Sequence, residues 1–186
     1  MLNDLVGVKI DESQNQYKEY AGIKFKMNTT YRDLATENAI QDGIVVSVPK
    51  AITQKTFHDG DIDFDLKVGE RVFAHHHLNE FAPIKDGIRM IPYHLLYCKK
   101  SGDNIEMLNS WNFMEPIKSK SSSIMKFQKN EPQYAKVVHA SKTLKDQGIN
   151  EGDTVVYVKG MDSEIMVDGK IYYRTLTRHV QAKIEE

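Results

Sequence analysis

With 186 residues, the chain has room for one large domain or two small ones. Apolar residues make up 40% and charged residues 27%, which excludes a disordered chain; a net charge of −1 gives no global field toward nucleic acid or an acidic membrane. Cys98 is the single cysteine, so no internal disulfide forms, and no apolar run approaches the ~20 residues of a membrane span. The start, MLNDLVGVKIDE, lacks the basic segment and long apolar core of a signal peptide, so a cytoplasmic protein is expected.

Leu5 to Ile10 (LVGVKI) is short, apolar and rich in β-branched residues, which predicts a strand. Asp11 to Tyr20 is polar and reads as a loop. Ala21 to Met27 alternates apolar and charged residues, as a half-buried or edge strand does. Asn28 to Gln41 reads as a long exposed loop, of a length that is usually functional or disordered. Asp42-Gly43 opens a strand over Ile44 to Val48, closed by Pro49. Within Thr53 to Phe64, His58-Asp59-Gly60-Asp61 carries an Asp-Gly hairpin signal between β-formers. Lys67 to Glu70 predicts a turn and Arg71 to His75 a strand. Asp86-Gly87 precedes a strand over Ile88 to Ile91, Pro92-Tyr93 bends the chain, and Leu95 to Cys98 forms the next strand. Lys99 to Asp103 (KKSGD) reads as a connector between a first unit, residues 1–100, and a second, residues 105–186.

The second unit repeats the first. Met107-Leu108-Asn109 echoes Met1-Leu2-Asn3, and Trp111 to Ile117 echoes the opening strand. Ile124 to Phe127 (IMKF) resembles Gly22 to Phe25 (GIKF), after a basic loop at Lys118 to Ser123. Ala135 to Ala140 matches Gly43 to Val48, Glu151-Gly152-Asp153 matches Val68-Gly69-Glu70, and Asp168-Gly169 matches Asp86-Gly87; Val180 to Ile184 closes the chain. Agreement in order across five features is a stronger signal than any one of them. The offset falls from 106 to 92 to 83 residues, so the second copy lacks residues in the long loop and in the Asp-Gly hairpin region. Short strands at this spacing, with no long helix, predict an all-β fold of two small barrels, the second reduced.

The ordered set of an opening strand, a polar loop with Gly-Ile-x-apolar, a Gly-x-Val-Val-x-Val strand, a hairpin and Val-Gly-Glu-x-Val resembles the co-chaperonin (GroES-like) family over Leu5 to Tyr97. Met107 to Ile184 resembles a reduced second copy, and the whole looks closest to divergent, phage-type tandem members, which implies the bacterial cytoplasm. The resemblance implies a non-enzymatic, cofactor-free homo-oligomeric ring, a heptamer by analogy, that caps a GroEL-like chaperonin in which unfolded client proteins fold. Docking would fall to a mobile loop carrying an apolar tripeptide. The matching residues are Ile23, Lys24 and Phe25, after Gly22. Ile23 and Phe25 share a face of an extended segment, and a ring of weak loops gains affinity by avidity. Lys24 departs from the family, whose central position is usually apolar. Ile23, Phe25 and Met27 read equally well as the inner face of a barrel strand. The Asp-Gly hairpin matches the family's roof hairpin, with His58, Asp59, Gly60 and Asp61 at its tip; an ordinary solvated hairpin fits the same residues.

His75-His76-His77 places His75 and His77 on one strand face, about 7 Å apart at ~3.3–3.4 Å per residue. Two such histidines could hold Zn²⁺ or Ni²⁺, but a structural zinc takes four ligands, and nothing brings His58, His94 or Glu80 to them. A polar strand end, a pH-responsive cluster or a subunit contact are the other readings. Trp111, Phe113 and Met114 form an apolar stripe suited to core packing. Nucleophile elbows, Walker loops and dinucleotide fingerprints are absent, and the cysteine zinc ligands of dehydrogenase-type GroES-like modules are missing. The alternative from another class is a non-enzymatic virion or assembly protein that uses tandem β-barrels as an interaction module.

Overall fold

A computed structural model of the chain describes residues 4–10, 17–20, 23–26, 41–50, 64–74, 84–117 and 133–185. These residues form an all-β structure with two large antiparallel sheets. The first sheet contains β1 (Leu5–Ile10), β4 (Gln41–Ser47), β5 (Arg71–Ala74), β6 (Ile84–Lys85), β7 (Ile88–Pro92), β8 (Leu96–Ser101) and β9 (Asn104–Met107), in the order β6-β7-β1-β4-β5-β8-β9. The second contains β10 (Trp111–Pro116), β11 (Gln133–His139), β12 (Thr154–Tyr157), β13 (Ser163–Val167), β14 (Lys170–Leu176) and β15 (Val180–Lys183), in the order β13-β14-β10-β11-β12-β15. β2 (Tyr17–Tyr20) and β3 (Ile23–Lys26) pair only with each other. One α-helix, α1 (Lys142–Asp146), is present among the described residues, with single 3-10 turns at Tyr93–Leu95 and Thr177–His179, and no described helix is long and apolar enough to cross a membrane.

The internal repeat extends to single hydrogen bonds. Strand order is the same in both sheets once β9 is set aside. β1 bulges between Gly7 and Val8 where it meets β4, and β10 bulges between Phe113 and Met114 where it meets β11. Gly69 N–H donates to the Val45 carbonyl and Val45 N–H to the Glu70 carbonyl; Gly152 and Val137 N–H repeat this with the Val137 and Asp153 carbonyls. Gly69 and Gly152 hold φ of 95° and 94°, a conformation that a side chain opposes, which is why both turns carry Gly. The acid after each glycine closes its own turn: Glu70 accepts from Lys67 N–H at 2.7 Å and Asp153 from Asn150 N–H at 2.8 Å.

Each sheet curves around its own apolar cluster, and the two clusters use matching positions. Val8, Val45, Leu66, Val72 and Leu96 line the first; Met114, Val137, Ile149, Val155 and Val180 line the second. A third cluster joins them. It takes Phe73, Tyr97, Cys98 and Met107 from the first sheet and Phe113, Ile165, Val167 and Tyr172 from the second.

Three expectations change. Tyr17–Tyr20, read as loop, is a strand paired with Ile23–Lys26, because hairpin pairing overrides the polarity of Tyr-Lys-Glu-Tyr. The connector at Lys99–Asp103 is a hairpin: Ser101 pairs with Asn104 across Gly102-Asp103, and β9 joins the first sheet. Lys99 reads as a loop residue only until its neighbours are known. Its ammonium lies 2.9, 3.3 and 3.4 Å from Asp65, Glu70 and Glu106 carboxylates, which compensates a lysine that is almost wholly buried. Finally, neither sheet closes into a barrel, and the second copy contains α1, whose N-cap Ser141 accepts from Leu144 N–H.

Candidate functional site

The tripeptide that the resemblance matches to a docking loop, Ile23 to Phe25, lies in β3. Cα pairing sets Ile23 opposite Tyr20, Lys24 opposite Glu19 and Phe25 opposite Lys18, so only Ala21 and Gly22 separate the strands. Ile23 and Phe25 stand two positions apart in this strand, on either side of Lys24. The hairpin makes no ladder with either large sheet. Gly22 lies outside the described residues, as do the roof-hairpin residues His58, Asp59, Gly60 and Asp61 and the histidines His75 and His77. Ala74 is the last described residue of the strand that leads to those histidines. Among the described residues, no group of three or more His, Cys, Asp or Glu side chains is arranged to hold a metal ion.

The best-defined chemistry is at the junction between the repeats. Arg71 in β5 donates from Nε and Nη2 to Asp42 Oδ2 at 2.8 and 2.5 Å, and from Nη1 to Asp168 Oδ2 at 3.1 Å. Lys100 in β8 donates to the same Asp168 oxygen. Asp168 sits at φ 48° in the Asp168-Gly169 turn between β13 and β14, so the second repeat inserts a carboxylate between two cations of the first. The hydrogen bond from Lys100, then that from Arg71, holds the Asp168 carboxyl below its ordinary 3.8.

Beside this clamp, the Arg174 guanidinium lies 4.8 Å from the Tyr97 ring centroid and 5.0 Å from that of Trp111. The two rings meet edge to face at 5.0 Å. A cation over two aromatic faces gains most when desolvated, and Arg174 is buried. Trp111 Nε1–H donates to the His94 carbonyl at 3.4 Å, and Asn109 Nδ2 donates to the Tyr93 and Leu96 carbonyls at 3.0 Å. Phe113 stacks on Tyr172 at 5.1 Å, and His139 packs edgewise on both.

Burial sets the remaining titrations. It pushes the Cys98 thiol far above its ordinary value, so this cysteine stays protonated and inaccessible. It lowers His139, as do the Lys170 and Lys145 charges, and it lowers His94, which Asp4 partly offsets.

Trp111, Phe113 and Met114 are buried or half-buried, but they divide between two cores. Met114 faces its own sheet's interior, whereas Phe113 and Trp111 face the junction. Of the junction's polar residues, Asp168 carried a sequence signal only as part of its Asp-Gly turn, and Arg71, Lys100 and Arg174 carried none beyond charge. A search against family models and one against curated proteins both return no match to this chain.

Proposed function

We propose that the chain is a non-enzymatic co-chaperonin of divergent, tandem GroES-like type, which caps a GroEL-like chaperonin as a homo-oligomeric ring. The observation that carries the reading is the β2–β3 hairpin. It supports the reading in that it forms no ladder with either repeated sheet, and alternation along a strand would give Ile23 and Phe25 a common face for docking. Two apolar anchors give weak docking per chain, and several copies in a ring raise overall affinity by ~10²–10⁴. Lys24, which the register pairs with Glu19, would fall on the other side of the strand and need not enter an apolar groove. Client proteins would fold in the capped chamber, and the chain itself would supply closure rather than chemistry.

The test mixes the protein with a bacterial chaperonin and nucleotide and scores capped particles by negative-stain microscopy. Ile23→Asp and Phe25→Asp should each abolish capping while leaving the thermal unfolding of the two large sheets unchanged. Capping that survives both substitutions removes the hairpin from the docking role. An absence of capping by the wild-type chain favours a tandem interaction module in an assembly instead.

A further inference from the structure

Within the junction between the repeats the charges do not balance. Arg71 and Lys100 of the first repeat are met by Asp42 and Asp168. Arg174 of the second repeat has no such partner. It is 9% exposed, and among the described residues no oxygen accepts a hydrogen bond from its guanidinium. The Tyr97 and Trp111 rings attract its charge, but a ring face is a weak acceptor for N–H groups. Burial works against the charged form, with the Tyr97 phenol as a partial offset. A guanidinium keeps its proton in a protein, so the unmet donors and the charge together call for an anion from outside the chain.

The ladder shows from which side an anion reaches it. Arg174 stands opposite Phe113 in β10 and opposite Ser163 in β13, and directly paired residues share a sheet face. Phe113 is fully buried in the junction, whereas Ser163 is exposed and lies in the edge strand of the second sheet. We propose that the Arg174 guanidinium and the Ser163 hydroxyl bind a small oxoanion, a phosphate or carboxylate group, at this open rim of the junction. The planar guanidinium fork offers such a group two parallel N–H bonds while it stacks on aromatic rings. The hydroxyl adds a further donor. A cation is repelled at this place, and a neutral ligand leaves the charge unpaired. Tyr97 belongs to the first repeat, and Trp111, Ser163 and Arg174 to the second. An anion bound here therefore favours the packed junction and raises the stability of the whole chain by mass action.

This site stands on the junction and not on the chaperonin reading. Trp111 is the single tryptophan of the chain and touches Arg174, so its fluorescence reports on the site directly. The full chain is titrated with inorganic phosphate and, separately, with acetate, while chloride holds the ionic strength constant. At least one of the two should give a saturable change and raise the melting temperature, and which one does identifies the oxoanion as phosphate or carboxylate. Arg174→Met should abolish the saturable change. Arg174→Lys keeps the charge but loses the fork, and Ser163→Ala loses one hydrogen bond to the anion; each should weaken binding by about tenfold or more. Arg174→Lys and Ser163→Ala carry the comparison if Arg174→Met alters the circular dichroism spectrum. A wild-type response to both anions that matches chloride, or saturation at unchanged affinity in the Arg174 variants, overturns the proposal. Ile23→Asp should leave the titration unchanged, which separates failure of this site from failure of chaperonin docking.

Discussion

Val6-Gly7 in the first repeat and Asn112-Phe113 in the second occupy the same two places on the same central strand. The inner position is fully buried in both, yet one is a hydrocarbon and the other an amide. The reason lies across the sheet. Pro49 follows β4 in the first repeat and has no N–H to satisfy, so Val6 can be apolar. Ser141 stands at the matching place after β11, and its N–H donates to Asn112 Oδ1 at 2.8 Å. Asn112 Nδ2 in turn donates to Thr177 Oγ1 at 3.0 Å, and Ser141 caps α1. The outer position diverges for another reason. Gly7 lies against Ser47, whose Oγ would stand 2.3 Å from an added Cβ, whereas Phe113 fills the junction. The backbone ladder is thus retained while each side chain answers to its own neighbours.

The largest expected effect comes from the outer position. Phe113→Ala removes a ring that is fully buried between the repeats and should cost about 3–5 kcal/mol in urea unfolding. It should also separate one cooperative transition into two, because Phe113 belongs to the cluster shared by both sheets. Met90→Ala, on the first repeat's uncovered equivalent of that face, should change stability by less than about 0.5 kcal/mol. Equal losses from the two would mean that the faces are equally buried.

The inner position should give an intermediate effect with a diagnostic sign. Asn112→Val makes the second repeat look like the first, but it removes the acceptor of the buried Ser141 N–H, while Thr177 Oγ1 keeps the Ser110 carbonyl and Ser141 Oγ. The cost should be about 1–3 kcal/mol. Val6→Asn puts an amide among Val8, Val45 and Ile91 and should cost about as much. A neutral Asn112→Val, measured by denaturant midpoint, would mean that the amide is not what satisfies Ser141.

What the sequence could disclose follows from how local each cause is. The Val-Gly-Glu and Glu-Gly-Asp turns were legible because their glycines and acids act within three residues. The Asp86-Gly87 and Asp168-Gly169 turns and the opening strand of each repeat were legible for the same reason. The hairpin at Lys99 to Asn104 was not, since the burial of Lys99 depends on carboxylates as distant as Asp65. The junction was hidden by distance as well: Arg71 and Asp168 are 97 residues apart. One signal did exist. Val72-Phe73-Ala74, Tyr97-Cys98 and Phe113-Met114 are apolar without alternation, which marks strands covered on both faces. At the β2–β3 hairpin, Ile23 to Phe25 was readable as an extended segment, whereas its partner strand Tyr17 to Tyr20 was too polar to be recognised.

The clamp on the Asp168-Gly169 turn offers the smallest effect and the sharpest contrast between the repeats. Asp86-Gly87 makes the same turn in the first repeat, with Asp86 at φ 54° and exposed. Asp168→Asn should lower stability at neutral pH by no more than about 1 kcal/mol, because the carboxylate is partly solvated and the pairs are screened. Asp86→Asn should have no measurable effect. The folded-state pKa of Asp168 lies below the ordinary 3.8, so the unfolded chain binds the extra proton in the interval between the two values. The contribution of the clamp is therefore complete above pH 3.8 and is lost as pH falls through the folded value. Thermal melts at pH 7 should separate wild type from Asp168→Asn, and the difference should narrow from pH 4 downward. His139 and His94 act on a higher window: burial lowers their folded pKa below 6.5, so stability declines as pH drops under 6.5 in both the variant and the wild type. A gap between the two chains that persists unchanged into acid would assign the loss to geometry at the turn rather than to the carboxylate charge.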